Sequence, residues 1–226
     1  MPAPDSASFP RRGFLARLSA AAAGLTALAA VPDRLRAAPA PPARDVSPDG
    51  PDAWIDRLTG KDRVVLHAHQ HLLPAVVGAR NLLTNGRDAY GIPEREHSVA
   101  VATHGPAIAG MFRNEIWQQF TLGERYKLTD PKTGAPVTTN PFLAPQDGAP
   151  DDAVVPALMQ RGVLFVVCNV AVRNLSRRIV REGESPEALH KELVAGLLPG
   201  VIVVPDLFVA ISHAQKRGVS YIFIDA

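Results

Sequence analysis

Apolar positions follow two different periods along this chain. Five short runs are continuously apolar and rich in β-branched residues, which is typical of strands buried on both faces of a parallel sheet. The runs cover 63–67, 98–105, 162–169, 201–205 and 219–224. Between them apolar residues recur at helical spacing, as Val76, Val77, Leu82 and Leu83 do after the first run. The pattern therefore predicts strands that alternate with helices.

This alternation predicts the fold class. Strands joined through helices connect by right-handed crossovers and form a mainly parallel sheet. We expect an α/β domain with a flavodoxin-like, five-stranded, mainly parallel sheet and helices on both faces. The helices are expected at 52–58, 74–90, 106–120, 153–161, 170–181, 185–198 and 208–217. The chain has no glycine pattern of the G-x-G-x-x-G or Walker type, so nothing favours a nucleotide site.

The periodic pattern is lost in two parts of the chain. Residues 41–52 are Pro-rich and are expected to form a tether. Residues 121–150 follow neither period and predict a long inserted loop. Within it, Asp130, Lys132 and Asn140 are expected to satisfy turns, with the lining of a pocket as the alternative. The predicted organisation is a targeting segment at 1–40, a tether at 41–52 and an α/β domain at 53–226 that carries the insertion at 121–150.

The N-terminal segment resembles a twin-arginine export signal. Arg11 and Arg12 precede a mildly apolar, Ala-rich stretch at 18–31. A signal peptidase would cleave at the small residues 37–40, with 27–29 as the alternative position. That apolar stretch is shorter than the ~20 residues that span a bilayer. The resemblance implies export to the periplasm in a folded state, without stable membrane insertion once the signal is removed.

The distribution of charge limits the classes of binding partner that we expect. The formal net charge is +2, but residues 1–40 carry five Arg and two Asp, so the remainder holds 19 basic and 20 acidic residues. A near-neutral domain gives no reason to expect nucleic acid or an anionic membrane as partner. The single cysteine excludes an internal disulfide even in an oxidising compartment.

That cysteine, Cys168, ends the third apolar run. Ligands in open α/β sheets bind outside the carboxyl ends of the strands. A helix that begins directly after the strand would also stabilise a thiolate. Cys168 is therefore a candidate reactive thiol. The alternative is an inert core thiol, because free cysteine is among the most buried residue types.

Histidines gather at the ends of the first two predicted strands. His67, His69 and His71 alternate after the first, and His104 ends the second. Alternate residues of an extended segment share a face, so these imidazoles are expected to converge, with the Cys168 strand beside the first strand. Imidazoles and a thiolate suit zinc, copper or iron, so a transition-metal site is one hypothesis. The other is a polar loop of solvated or hydrogen-bonded histidines. The remaining histidines expected at the surface are His97, His190 and His213.

The region 157–224 resembles the DsrE/DsrF-like sulfur-relay family, and the strand from Arg63 fits that family's first βα unit. The resemblance rests on Gly162-Val163 before the strand that ends on Cys168, on Leu198-Pro199-Gly200-Val201 before Val203-Val204-Pro205, and on the segment 214–218 before Tyr221-Ile222. It implies a flavodoxin-like sheet, assembly into trimers or hexamers, and a persulfide accepted on Cys168. The export signal and the turn at 129–134 resemble a periplasmic, uncharacterised branch of DsrE-like proteins. The histidine stretch is not implied by the family.

Three functions stay open at this point. The first is a periplasmic sulfur carrier that receives a persulfide on Cys168 and exchanges it with a donor or acceptor protein. The second is a metal- or cofactor-binding module that uses His67, His69, His71 and His104; no cofactor is implied beyond that possible transition metal. The third is a non-catalytic, homo-oligomeric binding protein in which 121–150 packs between subunits. These residues do not decide whether the protein is an enzyme.

Overall fold

The computed structural model describes residues 50–224, which belong to one compact unit. The predicted targeting segment and most of the tether lie outside the described residues. The strands are β1 (Asp62–Ala68), β2 (His97–Thr103), β3 (Leu164–Cys168), β4 (Ile202–Val204) and β5 (Ser220–Ile224). The α-helices are α1 (Ala53–Asp56), α2 (Leu73–Tyr90), α3 (Asn114–Gln119), α4 (Leu122–Arg125), α5 (Val155–Gln160), α6 (Asn169–Ile179), α7 (Pro186–Ala195) and α8 (Leu207–Lys216). Short 3₁₀ turns lie at Glu94–Glu96, Gly105–Met111 and Pro141–Leu143.

The five strands form one parallel sheet in the order β4-β3-β2-β1-β5. This confirms the α/β, flavodoxin-like class with a five-stranded parallel sheet. The chain steps from β1 to β4 in one direction and then returns to place β5 at the other edge, beside β1. In the flavodoxin order 2-1-3-4-5 the second strand takes that edge position. In this protein the last strand, β5, occupies the edge beside β1, because the connection through α8 carries the chain from β4 back across the sheet.

Helices cover both faces of the sheet, as the alternation predicts. Gly78 of α2 approaches the side chains of Leu66 and Ile224, so α2 packs on the face to which these residues point. Successive strand residues point to opposite faces, so His67 points the other way. Its ring lies 6.0 Å from the ring of Phe208 in α8, which places α8 on that second face. Right-handed crossovers place helices on both faces of the sheet. The connections from β1 to β4 and the connection from β4 to β5 cross the sheet in opposite directions, so their helices lie on opposite faces.

Capping residues set several helix starts. Ser185 accepts hydrogen bonds from the backbone N–H groups of Glu187 and Ala188 and so begins α7. Asp206 does the same for α8 through Phe208 and Val209.

The helix predicted at 106–120 is instead a 3₁₀ turn followed by α3. The break has a physical cause. Phe112 forms an isolated antiparallel bridge with Leu197, and the N–H of Arg113 donates to the carbonyl of Gly196 at 2.9 Å. These contacts hold the chain extended between the two helical pieces. Within 50–224, no helix is both long enough and apolar enough to cross a membrane.

Candidate ligand-binding site

A cavity of about 720 Å³ lies at the carboxyl ends of β1 and β2, beneath the insertion. The sheet side is formed by the β1–α2 connection, with His71 and Leu72, and by the turn after β2, with Pro106 and Ala107. The insertion side includes Arg125, Tyr126, Lys127, Leu128, Val137, Asn140, Phe142 and Gln146. In parallel α/β sheets this edge is where ligands bind. The volume falls within the roughly 300–1,000 Å³ range of small-molecule sites.

Asn140 anchors the far side of the insertion. Its side chain is buried, its Nδ2 donates to the carbonyls of Gly110 at 2.9 Å and Phe112 at 2.7 Å, and its Oδ1 accepts from the N–H of Phe142 at 3.0 Å. The N–H of Asn140 also donates to Asn114 Oδ1. One side chain therefore satisfies three backbone groups that would otherwise be buried without partners.

The near side of the insertion is anchored at α4. Gly123 lies so close to the carbonyl of Val137 that a Cβ at this position would overlap it. The N–H of Leu128 donates to the carbonyl of Gly123, and the N–H of Val137 donates to the carbonyl of Leu128. The insertion thus forms a defined wall, although the sequence has no periodic signal there.

Asp130 and Asn140 satisfy turns, as expected from the sequence. Asp130 Oδ1 accepts from the N–H groups of Lys132 at 2.7 Å and Thr133 at 3.2 Å. Lys132 instead forms an exposed ion pair, with its Nζ 3.7 Å from Asp147 Oδ2. All three predicted residues also line the cavity, so the pocket alternative holds for them as well.

Two residues that line the cavity each carry a buried polar atom that lacks a hydrogen bond. Among the described residues, the hydroxyl of Tyr126 and the amide nitrogen of Gln146 have no hydrogen-bond partner. Most buried polar groups in proteins have one, so these two are exceptions that need an explanation. Burial raises the pKa of Tyr126, while the positive charges of Arg178 and Arg125 act in the opposite direction. The phenol therefore stays protonated near neutral pH and can donate a hydrogen bond.

The structure brings together three of the four histidines predicted to converge, His67, His69 and His104. His67 points toward α8, and its Nδ1 lies 3.0 Å from Tyr221 Oη. The rings of His69 and His104 stack at 5.2 Å, and the ring of His104 lies 6.3 Å from that of His67. His71 lies on the cavity wall. The expectation of a shared face was wrong for His71, because β1 ends at Ala68 and the extended alternation ends with it.

The predicted metal site gains no geometric support. Within residues 50–224, no three His, Cys, Asp or Glu side chains are placed to hold one ion together. Burial, and next the charge of His69, lower the pKa of His104, which favours its neutral form. Metal binding by His67, His69, His71 and His104 stays a prediction.

Cys168 lies at the predicted junction, at the end of β3 and directly before α6. Its residue is only 1% exposed, it belongs to the hydrophobic core, and it is not among the residues that line the cavity. The expectation that its strand neighbours β1 was wrong, because β2 lies between them and Cys168 pairs with Val204 of β4. Its role as a persulfide acceptor stays a prediction, and a buried thiol does not favour it.

His190 is the clearest error among the residues expected at the surface. It is buried, and its Nε2 lies 2.7 Å from Oδ1 of Asn169, the residue after Cys168. The spacing of Leu189 and Leu193 puts the apolar stripe of α7 beside it, and this signal could have placed it inward. Tyr126 and Gln146 were also missed. The available signal for Tyr126 was an aromatic residue between two basic residues, Arg125 and Lys127.

Comparisons with known proteins give a limited result. No protein-family model matches the chain, and no curated protein matches it. Among solved structures, the chain is similar to a protein of unknown function, MTH1491, from Methanobacterium thermoautotrophicum. The identity is 18%, the TM-score is 0.41, and the match covers 72% of this chain and 99% of the other. The resemblance to the DsrE/DsrF-like family stays a prediction.

Proposed function

We propose that this protein is a binding module that holds a small organic molecule in the cavity between the insertion and the carboxyl edge of the sheet. One observation carries the proposal. The cavity has a suitable size and position, and two residues that line it, Tyr126 and Gln146, each carry a buried polar atom without a partner among the described residues. Rotation of either side chain toward a bound molecule that supplies a partner would remove an energetic cost of about 1–3 kcal/mol per unsatisfied group.

The chemistry of the walls supports a partly apolar ligand. Leu72, Ala107, Val137 and Phe142 provide apolar surface, and polar groups lie at separate points between them. Small-molecule sites commonly combine apolar walls with a few polar groups that fix orientation. This proposal develops the cofactor-binding and binding-protein hypotheses without requiring a metal. With the export signal that the N-terminus resembles, it describes a periplasmic binding protein.

A sulfur carrier is the weaker proposal. Persulfide transfer requires a thiolate that a partner can reach. Cys168 is packed in the hydrophobic core and 1% exposed, so a donor would reach it only after local opening. The cavity needs no such opening.

The experiment is a fluorescence titration with N-phenyl-1-naphthylamine, a neutral probe that becomes fluorescent in apolar sites. Ala144 is exposed and lines the cavity, so Ala144→Trp fills the cavity at little cost to folding. Ala188 is exposed on α7 and does not line the cavity, so Ala188→Trp is the matched control. We expect saturable binding that Ala144→Trp weakens at least tenfold and Ala188→Trp leaves unchanged. No binding, or binding that Ala144→Trp leaves intact, would overturn the proposal.

We also propose that a second copy of the chain pairs with the edge strand β5. The residues of β5 carry no charge, and Tyr221, Ile222 and Phe223 are 38%, 45% and 51% exposed on its two faces. Natural edge strands are commonly protected by charges or prolines, and β5 has neither. Phe208 is also 60% exposed, and the exposed fractions of Tyr221, Phe223 and Phe208 correspond to roughly 300 Å² of aromatic surface. That is more than a third of the ~800 Å² that each partner buries in a standard interface, and pairing along β5 would also satisfy the backbone groups that an edge strand leaves open.

A further inference from the structure

The wall of the cavity around Tyr126 is positively charged. Arg125 and Lys127 flank Tyr126 in the sequence, line the cavity with it and are exposed. In the part of the chain that the structure describes, neither has an ion-pair partner. The other lysine on the walls, Lys132, is paired with Asp147. The wall therefore has two positive charges without ion-pair partners, against one carboxylate, Asp130, whose Oδ1 accepts from backbone N–H groups. Tyr126, between the two cations, carries a buried hydroxyl without an acceptor.

The Tyr126 hydroxyl and the cations Arg125 and Lys127 favour the same kind of ligand, one that carries a negative charge. A negatively charged oxygen accepts from a hydroxyl and from a guanidinium, and such charge-assisted hydrogen bonds are about twice as strong as neutral ones. The guanidinium of Arg125 is suited to a planar or tetrahedral oxyanion. The charges of Arg125 and Arg178 both act on the Tyr126 hydroxyl, so the positive potential extends to that donor.

We propose that the ligand is an amphipathic organic anion, whose carboxylate or other oxyanion lies against Arg125 and Tyr126 and whose apolar body fills the cavity toward Leu72 and Phe142. This inference rests on the proposed function and adds the charge and orientation of the ligand. The Lys132–Asp147 pair does not compete for the anion, because each of its charges already has a partner.

A matched pair of probes tests the inference on the full chain. 1-Anilinonaphthalene-8-sulfonate carries the same anilinonaphthalene skeleton as N-phenyl-1-naphthylamine plus one sulfonate. We expect the sulfonate probe to bind about tenfold more tightly than the neutral probe, and less tightly as salt is raised. Arg125→Gln should remove most of that difference, because only Lys127 then remains as a cation without an ion-pair partner on this wall. Tyr126→Phe should reduce the difference several-fold, because it removes only the hydroxyl.

Arg57→Gln is the control, since Arg57 is exposed and lies outside the cavity. It should change neither affinity. Equal affinities for the two probes, both insensitive to Arg125→Gln, would overturn the anion inference while the binding function stands. Failure of both probes to bind, or binding of both that Ala144→Trp leaves intact, would overturn the proposed function itself. A preference for the sulfonate that Arg57→Gln reduces as much as Arg125→Gln would also count against the inference, because it would reflect net charge alone.

Discussion

Asn140→Ala removes the side chain that fastens the insertion to the rest of the domain. Asn140 is 3% exposed and its side chain forms three hydrogen bonds, to the carbonyls of Gly110 and Phe112 and from the N–H of Phe142. Each such bond contributes about 1 kcal/mol net, so the free energy of unfolding should fall by about 3 kcal/mol. Because typical domains unfold at about 5–15 kcal/mol, this is a large fraction of the total.

The assay is urea unfolding followed by tryptophan fluorescence. Trp117 is a suitable reporter, because it is buried and its Nε1 donates to the carbonyl of Ala109, close to the anchored segment. Asn140 and Phe142 also line the cavity, so the variant should weaken binding of the neutral probe. Asn140→Asp separates hydrogen bonding from packing. It keeps the acceptor for Phe142 but places a carboxylate against two carbonyl oxygens, so its loss should equal or exceed that of Asn140→Ala.

The control is Asn174→Ala, at an exposed position on α6, which should change the unfolding free energy by no more than about 0.5 kcal/mol. A loss below about 1 kcal/mol for Asn140→Ala would refute the reasoning, since the three backbone groups would then have found other partners. An Asn140→Asp variant as stable as the native protein would refute it independently.

Three further predictions concern the reactivity of Cys168, the pH dependence of stability and self-association through β5. Cys168 should react with Ellman's reagent only under unfolding conditions, because its residue is 1% exposed; rapid labelling of the native protein would restore the case for a persulfide carrier. Burial lowers the pKa of His104 below 6.5, so the unfolded chain binds that proton more readily, and the free energy of unfolding should fall as the pH drops from 6.5 toward the folded-state pKa. His104→Gln should reduce that slope in urea titrations between pH 5 and 7, and an unchanged slope would assign the effect to other groups. Ile222→Lys should shift sedimentation toward the monomer, whereas Tyr90→Lys, at a 79% exposed position on α2, should not; a wild-type monomer at all concentrations would end the self-association proposal.

The histidines and the cysteine show which structural features local sequence patterns predict. The sequence correctly placed His67 and Cys168 at strand ends, because apolar runs and their neighbours mark where strands finish. It predicted that His71 shares a face with His67 and His69, and this was wrong because the extended backbone of β1 ends at Ala68. It also left open whether Cys168 is reactive or buried, since the exposure of a strand end depends on what covers it.

The candidate site was less predictable than the fold. Asp130, Lys132 and Asn140 were recognised as turn or pocket residues, but Tyr126 and Gln146 were not. No sequence period marks a wall built from an irregular insertion. The Asn140 amide donates to the carbonyls of Gly110 and Phe112, which lie 30 and 28 residues away in the sequence. No local sequence pattern predicts such distant partners.

The sequence by itself determined the five strands, most of the helices and the parallel α/β class. These depend on the hydrophobic period, which acts between residues close in sequence. The tertiary structure alone decided that β5 lies beside β1, that Cys168 is buried, that His71 parts from the other histidines, and that a cavity opens under the insertion. Each of these results from contacts between distant segments, where packing and long-range hydrogen bonds select one arrangement among several that the local patterns allow.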